Sequence, residues 1–156
     1  MSIERVRAFF EQFHMADRIL EFETSSATVE LAAKAVNCEP ARIAKSLSFK
    51  CNDSYIIIVM TGDVKIDNSK YKARFKTKAK MVLPAETEEH IGHAIGGICP
   101  FAVVEGVDIY LDVSLKRFNT VFPACGSSNS AIELSINELE KYTNYKEWID
   151  VSKEYN

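Results

Sequence analysis

In Ile43-Ala44-Lys45-Ser46-Leu47 a lysine stands where a short helix is expected to give way to the first strand. Turned inward, its ammonium needs an anionic partner, a phosphate or a carboxylate, because an unpaired buried charge is too costly to keep. Turned outward, it is an ordinary solvated lysine. A second group, Gly96-Gly97-Ile98-Cys99-Pro100-Phe101, offers backbone rather than side chains. Its glycines reach angles closed to other residues and can bring peptide N–H and C=O groups close to a ligand, while Pro100 stiffens the end. Such groups can polarise an ester carbonyl or hold a water without a side-chain base. The loop is therefore a candidate oxyanion site, against the plainer reading as a turn.

Cys125, in Pro123-Ala124-Cys125-Gly126-Ser127-Ser128-Asn129, is a candidate nucleophile. An activated cysteine needs a neighbouring base or a positive field, and inert buried thiols are the commoner case. The rest of that loop, Gly126 and Ser127 included, is better suited to hydrogen bonding a ligand. His90-Ile91-Gly92-His93 spells a phosphate-binding signature of class I synthetases, but without the strand–loop–helix context that gives the string meaning. Together with Cys99 the two histidines could ligate zinc, yet no fourth ligand is in sight. Neither a metal nor a cofactor is expected.

These groups must be held by regular elements. Ser2 precedes Ile3, Val6, Phe9, Phe10 and Phe13, which share one helical face, so an amphipathic helix capped by the serine hydroxyl opens the chain. An alanine-rich helix is expected over residues 28–36, closed by Asn37, and Pro40 begins a short third one. From Ser46 the period changes to two: Leu47, Phe49 and Cys51 alternate with polar residues, and Asn52-Asp53-Ser54 turns the chain into an apolar strand over 55–61, a β-hairpin. Further strands are expected at 80–83, 108–112, 120–124 and 131–134, and Ser135-x-x-Glu138 is a capping box opening a helix to about residue 142. Strands in succession with helices between and at the ends predict an α+β domain around a mixed sheet or barrel. No repeat or Pro/Gly-rich linker divides the chain, so residues 1–156 are expected to form one domain.

The composition, 47% hydrophobic and 26% charged, excludes disorder. The longest apolar run, residues 55–60, is far short of the ~20 residues of a membrane span. With no export signal read at the amino terminus, a cytoplasmic protein without a membrane partner is expected. Cys38, Cys51, Cys99 and Cys125 are widely spaced and read as free thiols. The net charge of −3 argues weakly against nucleic acid, but the average misleads. Residues 65–80 carry Lys65, Lys70, Lys72, Arg74, Lys76, Lys78 and Lys80 against Asp67 alone, a local charge of +6 that leaves −9 elsewhere. That block is either a solvated face or the footprint of an anionic partner. Tyr71 and Phe75 within it are expected to form the apolar stripe of a short helix rather than a base-stacking platform.

Taken together, the segments 43–49, Ile66-Asp67 with Lys70, 92–101, Tyr110-Leu111-Asp112 and 131–134 resemble, in content and order, the YbaK/EbsC family, the prolyl-tRNA synthetase-associated or aminoacyl-tRNA editing domain. The resemblance runs from about Phe22 to Leu139. It implies a mixed-sheet β-barrel core with flanking helices, acting as a free-standing deacylase that hydrolyses the ester between a wrong amino acid and the terminal adenosine of a tRNA, typically tRNA(Pro). A synthetase pocket discriminates by only about 1–3 kcal/mol per methylene, so a second, hydrolytic site supplies what binding cannot. The implied partners are the acceptor end of aminoacyl-tRNA and prolyl-tRNA synthetase.

By the same resemblance Lys45 holds the phosphate or ribose of the acceptor strand, and the backbone of Gly96, Gly97 and Pro100 grips the aminoacyl group and positions the reacting carbonyl. Phe22, Ser46, Ile98, Cys99, Phe101, Cys125, Gly126 and Ser127 are the substrate-contact candidates. Lys65, Lys70, Lys72 and Lys76 are those for tRNA. Members specific for cysteine carry a serine and an aspartate where Ala124 and Ala131 stand here, and Phe22 replaces a tyrosine, so alanine or serine is expected ahead of cysteine as the edited amino acid. The alternatives are a non-catalytic module of the same fold that binds tRNA or a synthetase, and a thiol hydrolase using Cys125. Oligomeric state is not legible.

Overall fold

Every residue of 56–61 is buried because this segment lies in the middle of a sheet and carries side chains into a core on each face. The computed structural model describes residues 2–155. Its elements in order are α1 (Ser2–Glu11), β1 (Leu20–Glu21), α2 (Val29–Val36), β2 (Ile43–Cys51), β3 (Ser54–Thr61), β4 (Val64–Ile66), α3 (Asn68–Phe75) and α4 (Thr87–His90). There follow β5 (Asp108–Asp112), β6 (Thr120–Pro123), β7 (Ser130–Ala131), β8 (Leu134–Ser135), α5 (Ile136–Thr143), β9 (Glu147–Ile149) and β10 (Ser152–Glu154).

Six strands make a curled mixed sheet, a half-barrel, in the order β8-β6-β2-β3-β5-β9. β2 and β3 are the expected antiparallel hairpin, turning at Asn52, whose φ of 57° suits asparagine. β2 with β6, β3 with β5, and β5 with β9 run parallel. Side chains alternate between two cores. Ile57, Val59, Ile109 and Leu111 meet Val6 and Phe10 of α1, Phe101 and Leu139 of α5 on one face. Ile56, Ile58, Met60 and Tyr110 meet Tyr71 and Phe75 of α3 on the other. Those two aromatics are thus the buried stripe the sequence predicts.

Local signals set most boundaries. The Thr28 hydroxyl accepts from Leu31 N and Asn37 closes α2 in the left-handed region. The Asp67 carboxylate caps α3 by accepting from Ser69 N and Lys70 N, and those backbone donors hold its carboxyl below the usual range. The Ser135 capping box is formed at α5, and its Glu138, also bonded to Arg18, is depressed to about 2.

Three expectations are corrected. Ser2 lies inside α1 and its hydroxyl donates to the Gly126 carbonyl instead of capping the helix. Residues 80–83 make only one bridge, Met81 to Phe49, rather than a strand. The strand expected at 131–134 splits into β7 and β8, since Ala131 pairs with Leu20 of β1 while Leu134 pairs with Val121 of β6. Four strands too short or too polar to signal themselves, β1, β4, β9 and β10, escape the sequence pattern. Antiparallel pairing of β10 with β4 brings the C-terminal segment back over the sheet.

A buried carboxylate fixes that return. Asp112, fully buried, accepts from Ser114 N at 3.0 Å, Val151 N at 2.9 Å and Ser152 Oγ at 2.7 Å. It ties the end of β5 to the residues leading into β10.

Candidate functional site

β2 and β6 pair only through Ile43–Phe122 and Ala44–Pro123, after which β6 turns away. Beyond Ala44 the edge of β2 is open until Ser48 O accepts from Val82 N. This parting of two parallel strands creates a cleft of about 450 Å³, within the range of small-molecule sites. Its apolar floor comes from Ala32 of α2, Ile43 and Phe122, a small core of their own. Lys45, Ser46 and Leu47 line one wall; Ser26, Ala27, Thr28 and Val29, the loop carrying Ile95, Gly96 and Ile98, and the pair Ala124 and Ala131 line the rest.

Lys45 is half-buried, and its Nζ donates to the Val64 carbonyl and lies 3.3 Å from Tyr155 Oη. Among the described residues no carboxylate lies within ion-pair distance of it, so the charge is directed by neutral acceptors and left uncompensated. Such an ammonium is disposed to take an incoming anion. Beside it the Ser46 hydroxyl is buried yet makes no hydrogen bond within the protein. An orphaned buried hydroxyl costs stability unless a ligand satisfies it. Ser46→Ala is therefore expected to raise thermal stability by about 1 kcal/mol while lowering activity. A melt of the variant beside its turnover checks both signs; a destabilised variant with full turnover contradicts the expectation.

Gly96 bends the 95–98 loop at φ 91° and lines the cleft. Gly97 does something different. It is buried, its N–H is spent on the Ala94 carbonyl at 3.0 Å, and a Cβ there would come within 2.8 Å of Gly126 C and Ser127 N. Its lack of a side chain lets the 95–98 and 124–130 loops touch, rather than offering an N–H to a ligand. Pro100, Cys99 and Phe101 lie behind the loop in the core.

The remaining sequence candidates fall in several places. Ser46, Gly96 and Ile98 join Lys45 in the cleft, whereas Phe22, Cys125, Gly126 and Ser127 do not line it. Phe22 N donates to the Asn129 carbonyl and the Asn129 side-chain amide donates back to the Phe22 carbonyl, each at 2.8 Å, bracing the loop from outside. Cys125 is buried and its thiol is pushed well above the ordinary range by desolvation, and burial raises Cys99 to about 12. Buried and absent from the cleft lining, with burial favouring its neutral thiol, Cys125 lacks the exposed, activated thiolate that a nucleophile needs. His93 is buried with its Nε2 donating to the Phe101 carbonyl at 2.7 Å, and desolvation keeps it neutral. His90 stacks on Tyr55 instead, with ring centroids 4.4 Å apart. The described residues bring no three His, Cys, Asp or Glu together as a metal site.

The basic block is partly neutralised. Lys70 pairs with Asp150 at 3.1 Å and Arg74 with Glu147 at 2.7 Å, while Lys72 and Lys76 are exposed. Lys72 and Lys78 border a separate hollow beside α3. Of this block Lys65 is the cation sharing a partner with Lys45: Tyr155, whose ring centroid lies 5.5 Å from Lys65 Nζ. Sequence reasoning missed Tyr155 and the wall from residues 26 to 29, since neither carries a motif; alanines at 124 and 131 were visible as small residues.

A half-barrel with a lysine-marked cleft at its seam defines a class. The chain belongs to the aminoacyl-tRNA editing domain family, whose model matches residues 23–142. It is 53% identical over 156 residues to the uncharacterized protein YwhH of Bacillus subtilis (strain 168), covering 99% of each. It is also 27% identical over 118 residues to a proline–tRNA ligase of Geobacillus sp. (strain WCH70), covering 74% of this chain. The match spans only 20% of that ligase. A solved structure described as a candidate trans-editing enzyme for prolyl tRNA synthetase superposes with a TM-score of 0.87 at 26% identity, covering 97% of each chain. The hypothetical protein APE2540 shares the fold, with a TM-score of 0.80 at 23% identity, covering 93% of this chain and 99% of its own. Among the described residues, no helix is long and apolar enough to cross a membrane.

Proposed function

We propose that this chain is a free-standing trans-editing deacylase that removes a small wrong amino acid from tRNA, tRNA(Pro) carrying alanine, serine or cysteine being the substrate class. The observation carrying this reading is the uncompensated Lys45 ammonium in a cleft that also holds Ser46 and Gly96. Lys45 takes a phosphate or ribose oxygen of the acceptor end, and the aminoacyl group enters between the 95–98 loop and Ala124 and Ala131. Water adds to the ester carbonyl carbon, the bond from that carbon to the ribose oxygen breaks, and the proton passes to the departing hydroxyl. Among the described residues no Asp, Glu, His or Cys lines the cleft, so the rate rests on positioning and electrostatics, with water or a substrate hydroxyl moving the proton.

Ala124 and Ala131 stand where members of the resembled family specific for cysteine carry a serine and an aspartate, and on that ground alanine or serine is placed ahead of cysteine. The same absence of a lining carboxylate, histidine or cysteine favours a second reading, a non-catalytic module that binds tRNA or prolyl-tRNA synthetase. One assay separates them. Purified chain mixed with Ala-, Ser- and Cys-tRNA(Pro) is expected to release the amino acid, alanine or serine fastest. Binding without release on all three supports the non-catalytic module.

A further inference from the structure

Tyr155 is 58% exposed, yet it is not on a free tail. β10 pairs with β4 through Glu154–Val64, so the next residue emerges beside the strand whose Val64 carbonyl accepts from Lys45. The strap is pinned upstream by Asp112 and by Lys70 Nζ, which donates to the Ser152 carbonyl at 2.8 Å. Lys45 Nζ lies 5.4 Å and Lys65 Nζ 5.5 Å from the Tyr155 ring centroid. Neither ammonium has a carboxylate partner among the described residues, although Lys70 and Arg74 nearby both do. An accessible ring held beside two uncompensated cations, one of them the lysine that lines the cleft, has the parts of a single-stranded nucleic-acid site: a π-face for a base and charges for the flanking phosphates.

We infer that Tyr155 is a substrate-positioning residue, a stacking platform for a nucleobase of the single-stranded 3′ end of an RNA whose phosphates are taken by Lys45 and Lys65. This rests on the reading of the cleft as the seat of an aminoacyl-RNA 3′ end and extends it to a contact outside the cleft. Lys45 then serves two neighbours in turn, the ring in the free protein and a phosphate in the complex.

The test uses the full chain, its Tyr155→Leu and Tyr155→Phe variants, and two fluorescent single-stranded RNA tetramers ending in adenosine. One tetramer carries its bases, and the other is abasic with the same phosphates. The unsubstituted chain is expected to bind the base-bearing tetramer roughly ten-fold more tightly than the abasic one. Tyr155→Leu should lose that preference while binding the abasic tetramer as before, and Tyr155→Phe should keep most of it. On mischarged tRNA, Tyr155→Leu should raise KM with little change in kcat. The inference is overturned if the unsubstituted chain shows no preference, if Tyr155→Leu retains it, or if Tyr155→Leu binds both tetramers more tightly, which would make the ring a cover. A Tyr155-dependent preference with no turnover on any mischarged tRNA upholds the platform and rejects the deacylase.

Discussion

Lys45→Met is expected to lower deacylation of mischarged tRNA by roughly 100-fold, the loss typical when one preorganised charge or donor is removed from a reacting centre. The fold should survive, because methionine keeps the unbranched stem while removing only the ammonium. Lys45 is half-buried and makes no ion pair among the described residues, so no stranded counter-charge is left behind there. The Val64 carbonyl loses one donor, a cost of about 1 kcal/mol. Lys45→Arg should recover part of the activity, since it restores charge with a flatter and longer group. Single-turnover rates on Ala- and Ser-tRNA(Pro), taken beside thermal melts, check both halves. A Lys45→Met protein that turns over as fast as its parent removes the anchor from the proposed mechanism.

The largest effect on stability is expected at Asp112. Its carboxylate satisfies two backbone N–H groups and one hydroxyl in a fully buried position. Asp112→Ala deprives all three of their acceptor, and an unsatisfied buried donor costs about 1–3 kcal/mol, so a loss of roughly 4 kcal/mol is expected. Much of it should be local. Val151 and Ser152 lead into β10, and once released they no longer hold Tyr155 beside Lys45, so the substitution should also blunt activity from a distance. Urea denaturation gives the first quantity, and hydrogen exchange at 151–154 the second. A variant within 1 kcal/mol of its parent would show that the three donors find other acceptors.

Much of the frame could be read from residue order. The hairpin at Asn52, the close of α2 at Asn37, the Ser135 capping box, and the stripe of Tyr71 and Phe75 are local patterns, and each is present in the structure. Lys45, Ser46 and Gly96 were likewise named from sequence and share one cleft. What could not be read was long-range. β4 and β10 have three residues apiece, too few for a pattern to stand out, and they exist because they pair with each other 86 positions apart at Ser152–Ile66. Gly97 looked like a ligand-binding glycine because its motif is; only the loop pressed against it, at Gly126 and Ser127, shows why a side chain cannot stand there. The charge of the 65–80 block was real, but the acids that partly neutralise it, Glu147 and Asp150, arrive from the far end of the chain.

The seam between β2 and β6 separates two tasks that many enzymes entangle. Lys45 and Ser46 sit on a strand held along its other edge by eight paired positions with β3, so their place is as firm as the sheet itself. Most of the opposing surface, residues 26–28, 95–98 and Ala124, lies on segments outside any ladder. Substitutions there leave the pairing of the half-barrel intact. If the cleft holds an aminoacyl group as proposed, descendants of such a chain can exchange one amino-acid preference for another by altering loops alone, with Lys45 and Ser46 inherited unchanged.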